Sequence, residues 1–220
     1  MSEKLTVKKI DFPAGRPVFE VSAIMDDPAL KLQVNDIDNV NWPDSYPAKP
    51  KVSFRIAHNG REIFLKFNVE EEYTMALVDQ DQGRTWTDSC VEFFIAFDDT
   101  GYYNFEFTCI GRCLSHFNVP GKKSESAPPE LMSYIKRLSS LGMETFPERK
   151  GDNKWSLTVV IPVESFFKHR LVSLNRLGAT ANFYKCGDDL TVPHFLSWNP
   201  IDWPKPNFHL PKFFGKVKFR

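Results

Sequence analysis

Apolar and polar residues alternate with a period of two over much of the chain, the signature of half-buried β-strands. Val52, Phe54 and Ile56 share one parity, and Ile63, Leu65, Phe67 and Val69 share another. Asn59-Gly60 sits between the two runs, a pair suited to a tight turn with positive φ. The pattern predicts a hairpin. A second hairpin follows. Val91, Phe93, Ile95 and Phe97 share one parity up to the turn cluster Asp98-Asp99-Thr100-Gly101, and Tyr103, Phe105, Phe107 and Cys109 share one parity after it. Further strands fit 144–148, 155–161, 177–185 and 213–219, the first two joined by Gly151-Asp152-Asn153. Pro128-Pro129 and Gly142 bracket a predicted surface helix over 128–141, with a stripe of Leu131, Met132, Tyr134, Ile135 and Leu138. Pro193 to Pro211 reads as a rigid irregular loop. Short strands with frequent turns and little helix predict an all-β fold, an antiparallel sandwich with one or two short helices.

Strand parity also assigns a polar face. Setting the apolar residues of the second hairpin into one core pairs 97 with 103 and 95 with 105, because opposed residues of an antiparallel pair share a face. The other face then carries Trp86, Asp88, Glu92, Asn104, Glu106 and Thr108, and extrapolation sets Asp88 beside Arg112. An indole covers the C–H face of a sugar ring, while carboxylates, amides and a guanidinium match its hydroxyls. The blander reading is a solvated sheet face with a core tryptophan.

Composition narrows the classes. The 220 residues carry 28 basic and 28 acidic side chains, so no basic footprint of a nucleic-acid binder is present. No apolar run spans a membrane. The opening residues lack a signal core, so the chain as written is expected in the cytoplasm, or in the periplasm or outside if a leader was removed. The length suits one domain over 1–220, and 20 Phe suit a thick sheet-on-sheet core. Cys90, Cys109, Cys113 and Cys186 are expected as free thiols.

The run Trp86-Thr87-Asp88-Ser89-Cys90-Val91-Glu92 resembles the W-x-D-S-x-E signature of family 9 carbohydrate-binding modules. Tyr102-Tyr103-Asn104-Phe105-Glu106 is similar to that family's next strand. Trp42, Phe54 to His58 and Ile63 to Leu65 fit its opening hairpin. Asn182 to Asp188 and Pro193 to Trp198 resemble a bacterial family 9-like subgroup, so the likeness spans roughly 40–220. The resemblance implies a distorted jelly-roll or immunoglobulin-like sandwich that binds a polysaccharide chain end between two tryptophans, without chemistry of its own. On that basis Trp86 and Trp198 would stack on the sugar, with Trp203 the alternative to Trp198. Glu92 and Arg112 would hold its hydroxyls, and Asp88, Asn104 and Glu106 would line the floor. Xylan breakdown beside a glycoside hydrolase is the implied setting. No cofactor is expected beyond the structural calcium that the family carries, for which Asp98, Asp99 and Asp188 offer oxygens.

Three rivals stand beside this. A glycosidase needs two carboxyls about 5–10 Å apart. Asp88 and Glu92, roughly 13 Å apart along a strand, are too far, whereas Glu92 and Glu106 are cross-strand neighbours. A zinc site is available from Cys109, Cys113, Cys186 and His194, although paired short spacings are missing. A structural or protein-interaction sandwich is the third, since fold alone does not choose between them.

Overall fold

The computed structural model describes residues 3–220. In chain order its elements are β1 (Lys4–Lys9), α1 (Val18–Met25), β2 (Asn35–Asp36), β3 (Asn39–Val40), β4 (Lys51–His58), β5 (Glu62–Ala76), β6 (Cys90–Ala96) and β7 (Tyr102–Thr108). There follow β8 (Cys113–Asn118), β9 (Glu125–Ser126), α2 (Pro129–Met132), β10 (Lys136–Ser139), β11 (Phe146–Pro162), β12 (Gly178–Cys186), β13 (Phe195–Ser197) and β14 (Gly215–Phe219).

The main path of pairing runs β10-β11-β5-β4-β1-β14-β12-β6-β7-β8-β9. Strand β1 is the seam. Its residues 4–7 pair in parallel with β14, and Lys8 and Lys9 pair in parallel with β4. The sheet is therefore mixed, not purely antiparallel as the local patterns predict. Hairpin signals report only neighbours in sequence, and both partners of β1 are distant.

The sheet curls so that two layers face each other across a thick aromatic core. Phe54 of β4 stacks on Phe183 of β12 at 3.8 Å between centroids, and Phe183 continues to Phe93 at 5.0 Å. Val91, Phe93, Ile95, Tyr103, Phe105 and Phe107 all turn into this core, as parity requires. Each fully buried ring of this kind contributes roughly 1.5–3 kcal/mol relative to exposure.

Local predictions hold unevenly. The β4–β5 hairpin forms, with Gly60 at φ +96°. Asn59 does not take positive φ; its side chain accepts from the amides of Arg61 and Glu62 instead. The predicted helix over 128–141 shrinks to α2, because Lys136–Ser139 pairs with β11 as an edge strand. The two strands expected at 144–148 and 155–161 are one long strand, β11, whose register shifts twice against β5 around Gly151. Helix α1 was not signalled by the strand periodicity. Its Val21 and Met25, four residues apart, cover Phe64 and Val160 on the outer face of the β5 layer.

The register of β6 and β7 differs from the predicted one by a two-residue step. Ile95 opposes Tyr103, Phe93 opposes Phe105 and Glu92 opposes Glu106. A two-residue slip keeps every side chain on its face, so the face assignment survives while the partners change. Next to this pair, Gly101 lets β7 run close to β8: a Cβ there would lie 2.4 Å from the Asn118 carbonyl oxygen.

Candidate functional site

The outward face of β12, β6, β7 and β8 is not simply solvated. One half is roofed by the Pro-rich loop and by the chain around Trp42. Phe94, Tyr102 and Tyr184 pack there with Trp42, Ile201, Phe208 and Phe214 as a second apolar cluster. The other half stays open as a cavity of about 650 Å³, within the range of small-molecule sites.

Its floor comes from strand parity. Glu92 of β6, Asn104 and Glu106 of β7, and His116 and Asn118 of β8 all point into it. Polar side chains hold one another in a chain. Asn118 Nδ2 donates to Asn104 Oδ1 at 2.6 Å, and Asn104 Nδ2 donates to Glu106 Oε1 at 2.8 Å. The Thr85 hydroxyl donates to Glu106 Oε2 at 3.0 Å, and the Cys186 thiol to Glu92 Oε1 at 3.1 Å. Trp86 stands half-buried at the rim. It belongs to a 3-10 turn, Thr85–Thr87, tied down by the Asp188 amide donating to the Trp86 carbonyl at 3.0 Å. Arg84 lies over the indole at 5.8 Å. Tyr46, Phe195 and Phe208 form apolar walls, and Lys205 supplies a cation.

The cavity is acidic. Burial pushes the Glu106 carboxyl from 4.5 up to about 7, against the hydrogen bonds from Asn104 and Thr85. Burial, reinforced by Cys186 and Glu106, raises Glu92 well above the usual carboxylate range. Burial and the neighbouring Asp189 raise Asp188 to about 6. Burial lowers the two histidines of the lining, His116 and His209, so they face the cavity uncharged near neutral pH.

Trp86, Glu92, Asn104 and Glu106 are thus brought together. Three other predicted residues are not. Asp88 is fully buried on the far side of its turn, where Oδ2 accepts from the amides of Leu77 and Val78 at 2.8 and 2.9 Å. It pins the turn to the end of β5. Arg112 lies in the tight connection between β7 and β8, because the strand ends at Thr108 and the chain folds back. Its guanidinium donates to the Met143 carbonyl and does not line the cavity. Trp198 is 7% exposed and packs edge-on against Phe54 and Phe183, with its ring over Gly215. It follows β13 on the core side, so it is no stacking platform. Trp203, the alternative, is 42% exposed but outside the cavity lining, under Lys212.

The residues weighed for zinc and for calcium also separate, whereas Glu92 and Glu106 stay together. Cys109 and Cys113 face the inter-layer core, Cys186 faces the cavity, and His194 lies against Lys185 at 2.8 Å. Asp98 is engaged by Thr100 and His169 at the β6–β7 turn, away from Asp188. The three aspartates considered for calcium do not gather into one cluster among the described residues. The lining residues the sequence reading missed include Tyr46, His116, Asn118, Phe195, Lys205, Phe208 and His209, and it offered Asp188 only to calcium. Parity on β8 held a signal for His116 and Asn118. The loop residues arrive by long-range folding and leave no local pattern.

The site is thus a sheet face roofed at one end, with an indole at the rim and paired carboxyls on the floor. The family model described as carbohydrate-binding family 9 matches residues 20–219. A solved structure from Bacteroides uniformis ATCC 8492, of a protein proposed to bind carbohydrate, is 44% identical with a TM-score of 0.96, each chain covered fully. The chain belongs to carbohydrate-binding family 9. A family 9 module from Caldicellulosiruptor kristjanssonii in complex with glucose is 10% identical, with a TM-score of 0.61 and coverage of 99% of this chain and 96% of the other. The same organism's family 9 module with cellotriose gives 10% identity, a TM-score of 0.62 and coverage of 99% and 94%. At that identity these two show likeness of fold alone. The search of curated proteins found no match.

Proposed function

We propose that the cavity binds a sugar, at a chain end or as a short oligosaccharide, and does no chemistry on it. The observation that carries this reading is the half-buried Trp86 ring standing beside the directly opposed Glu92–Glu106 pair. The indole offers its face to a pyranose C–H surface. Glu92, Glu106 and Asp188 accept from hydroxyls, and Lys205 donates. Tyr46, Phe195 and Phe208, which also line the cavity, supply further apolar surface in place of a second tryptophan. Family membership supports the ligand class, and the glucose and cellotriose complexes of the Caldicellulosiruptor module suggest the first ligands to try. The setting that fits such a module is polysaccharide breakdown, xylan included, alongside a glycoside hydrolase.

The test is calorimetric titration with glucose, cellotriose and xylo-oligosaccharides, on wild type and Trp86→Ala. Wild type is expected to bind at least one of them. The variant is expected to keep its circular dichroism spectrum and to lose about 1–3 kcal/mol of affinity, the scale of one aromatic contact. Binding unchanged by the substitution would sink this placement of the ligand. Release of reducing sugar by purified protein would instead favour the glycosidase reading through Glu92 and Glu106.

A further inference from the structure

Cys90 and Cys186 are directly opposed in the β6–β12 pair, and Glu92 follows Cys90 by two residues on the same face. Two Sγ atoms and a carboxylate oxygen from these residues all lie within 4.8 Å of one another. They are 0%, 1% and 3% exposed, in the order Cys90, Cys186, Glu92. This is the single such grouping of metal-ligating side chains among the described residues. In a tetrahedral site with metal–sulfur bonds near 2.3 Å and metal–oxygen bonds near 2.1 Å, ligand atoms stand roughly 3.5–3.8 Å apart.

Two further features fit a cation. Glu92 and Cys186 line the cavity while Cys90 lies behind them, so an ion held by the three would have an entry path and one position facing the open space. The donor set is two soft sulfurs and one oxygen, which favours zinc-class ions over calcium or magnesium. The protein alone keeps the group protonated: burial pushes the Cys90 thiol up to about 12, and the Cys186 thiol donates to Glu92. Binding would therefore displace two thiol protons and any proton on Glu92, with no change of oxidation state.

We propose that Cys90, Glu92 and Cys186 form a binding site for a thiophilic divalent cation of the zinc class, open on one side to the cavity. The inference goes beyond sugar binding and is read out without sugar.

The experiment is titration of chelator-treated, reduced, folded protein with Zn²⁺ against a chromophoric chelator, and with Co²⁺ as a spectroscopic probe. Expected are one ion per chain, a thiolate-to-cobalt charge-transfer band and proton release on binding. Cys90→Ser and Cys186→Ser should lose the band, while Cys109→Ser and Cys113→Ser, whose sulfurs face the core, should keep it. Absence of a thiolate–cobalt band in wild type overturns the proposal. So does a band that survives in Cys186→Ser. Should the serine variants fail to fold, Glu92→Gln decides: tight Zn²⁺ binding equal to wild type overturns the site, and its loss supports it.

Discussion

Two buried groups of charges lie on opposite sides of β12 and are treated in opposite ways. On the core side, Lys185 is fully buried and pairs with Glu71 at 2.8 Å. Trp155 donates to the same carboxylate at 2.7 Å, and His194 closes the group at 2.8 Å from the lysine. Lysine and carboxylate arrive together, from facing layers. On the cavity side, Glu92 and Glu106 oppose each other with no basic side chain among their hydrogen-bond partners. Burial raises both towards the neutral form. The first group is charge-paired and ties two layers. The second keeps acceptor capacity beside open space, as a polar ligand would require.

The largest expected effect would break the first group. Lys185→Met leaves Glu71 buried without its cation, and should lower unfolding free energy by about 3–5 kcal/mol in urea denaturation. A loss below about 1 kcal/mol would show that the pair is no more than offset desolvation. The next sharpens the second group. Glu106 binds its proton more tightly folded than unfolded, so between about pH 4.5 and 7 the folded state holds the extra proton. The Glu106 contribution to stability should then fall as pH rises through that window, by on the order of 3 kcal/mol. Glu106→Gln should flatten the slope in pH-dependent thermal melts. An unchanged slope would remove Glu106 as its source. The smallest effect is a control. Arg112→Ala lies outside the cavity and should change sugar affinity by less than about 0.5 kcal/mol in calorimetry. A drop comparable to that of Trp86→Ala would return Arg112 to the site.

How much of this was legible in the sequence depends on range. Parity placed Phe93, Phe105 and Phe107 in the core and Glu92, Asn104 and Glu106 on the opposite face. Those assignments survive a two-residue register step because the side-chain period is two. Trp86 was reached both by parity and by the motif. Asp88 shares that motif, but its carboxyl is used on backbone amides, and nothing in linear spacing separates an anchor from a ligand contact. Trp198 shows the same limit: the resemblance assigned it to stack on the sugar, whereas Gly215 makes room for it in the core. The roof of the cavity, from Trp42 to Phe208, is assembled by residues far apart in the chain, and periodicity says nothing about such meetings.

The seam made by β1 has a kinetic consequence. Its residues near the start pair with residues 216–219 near the end, so this closure spans nearly the whole chain, and the entropy of closing so long a loop must be met before the pairing repays it. The hairpins β4–β5 and β6–β7 can form from local contacts alone. The join between the two layers must wait until β14 has been synthesised, which makes it the expected late event in folding and the first place where a stalled chain would expose unpaired edges.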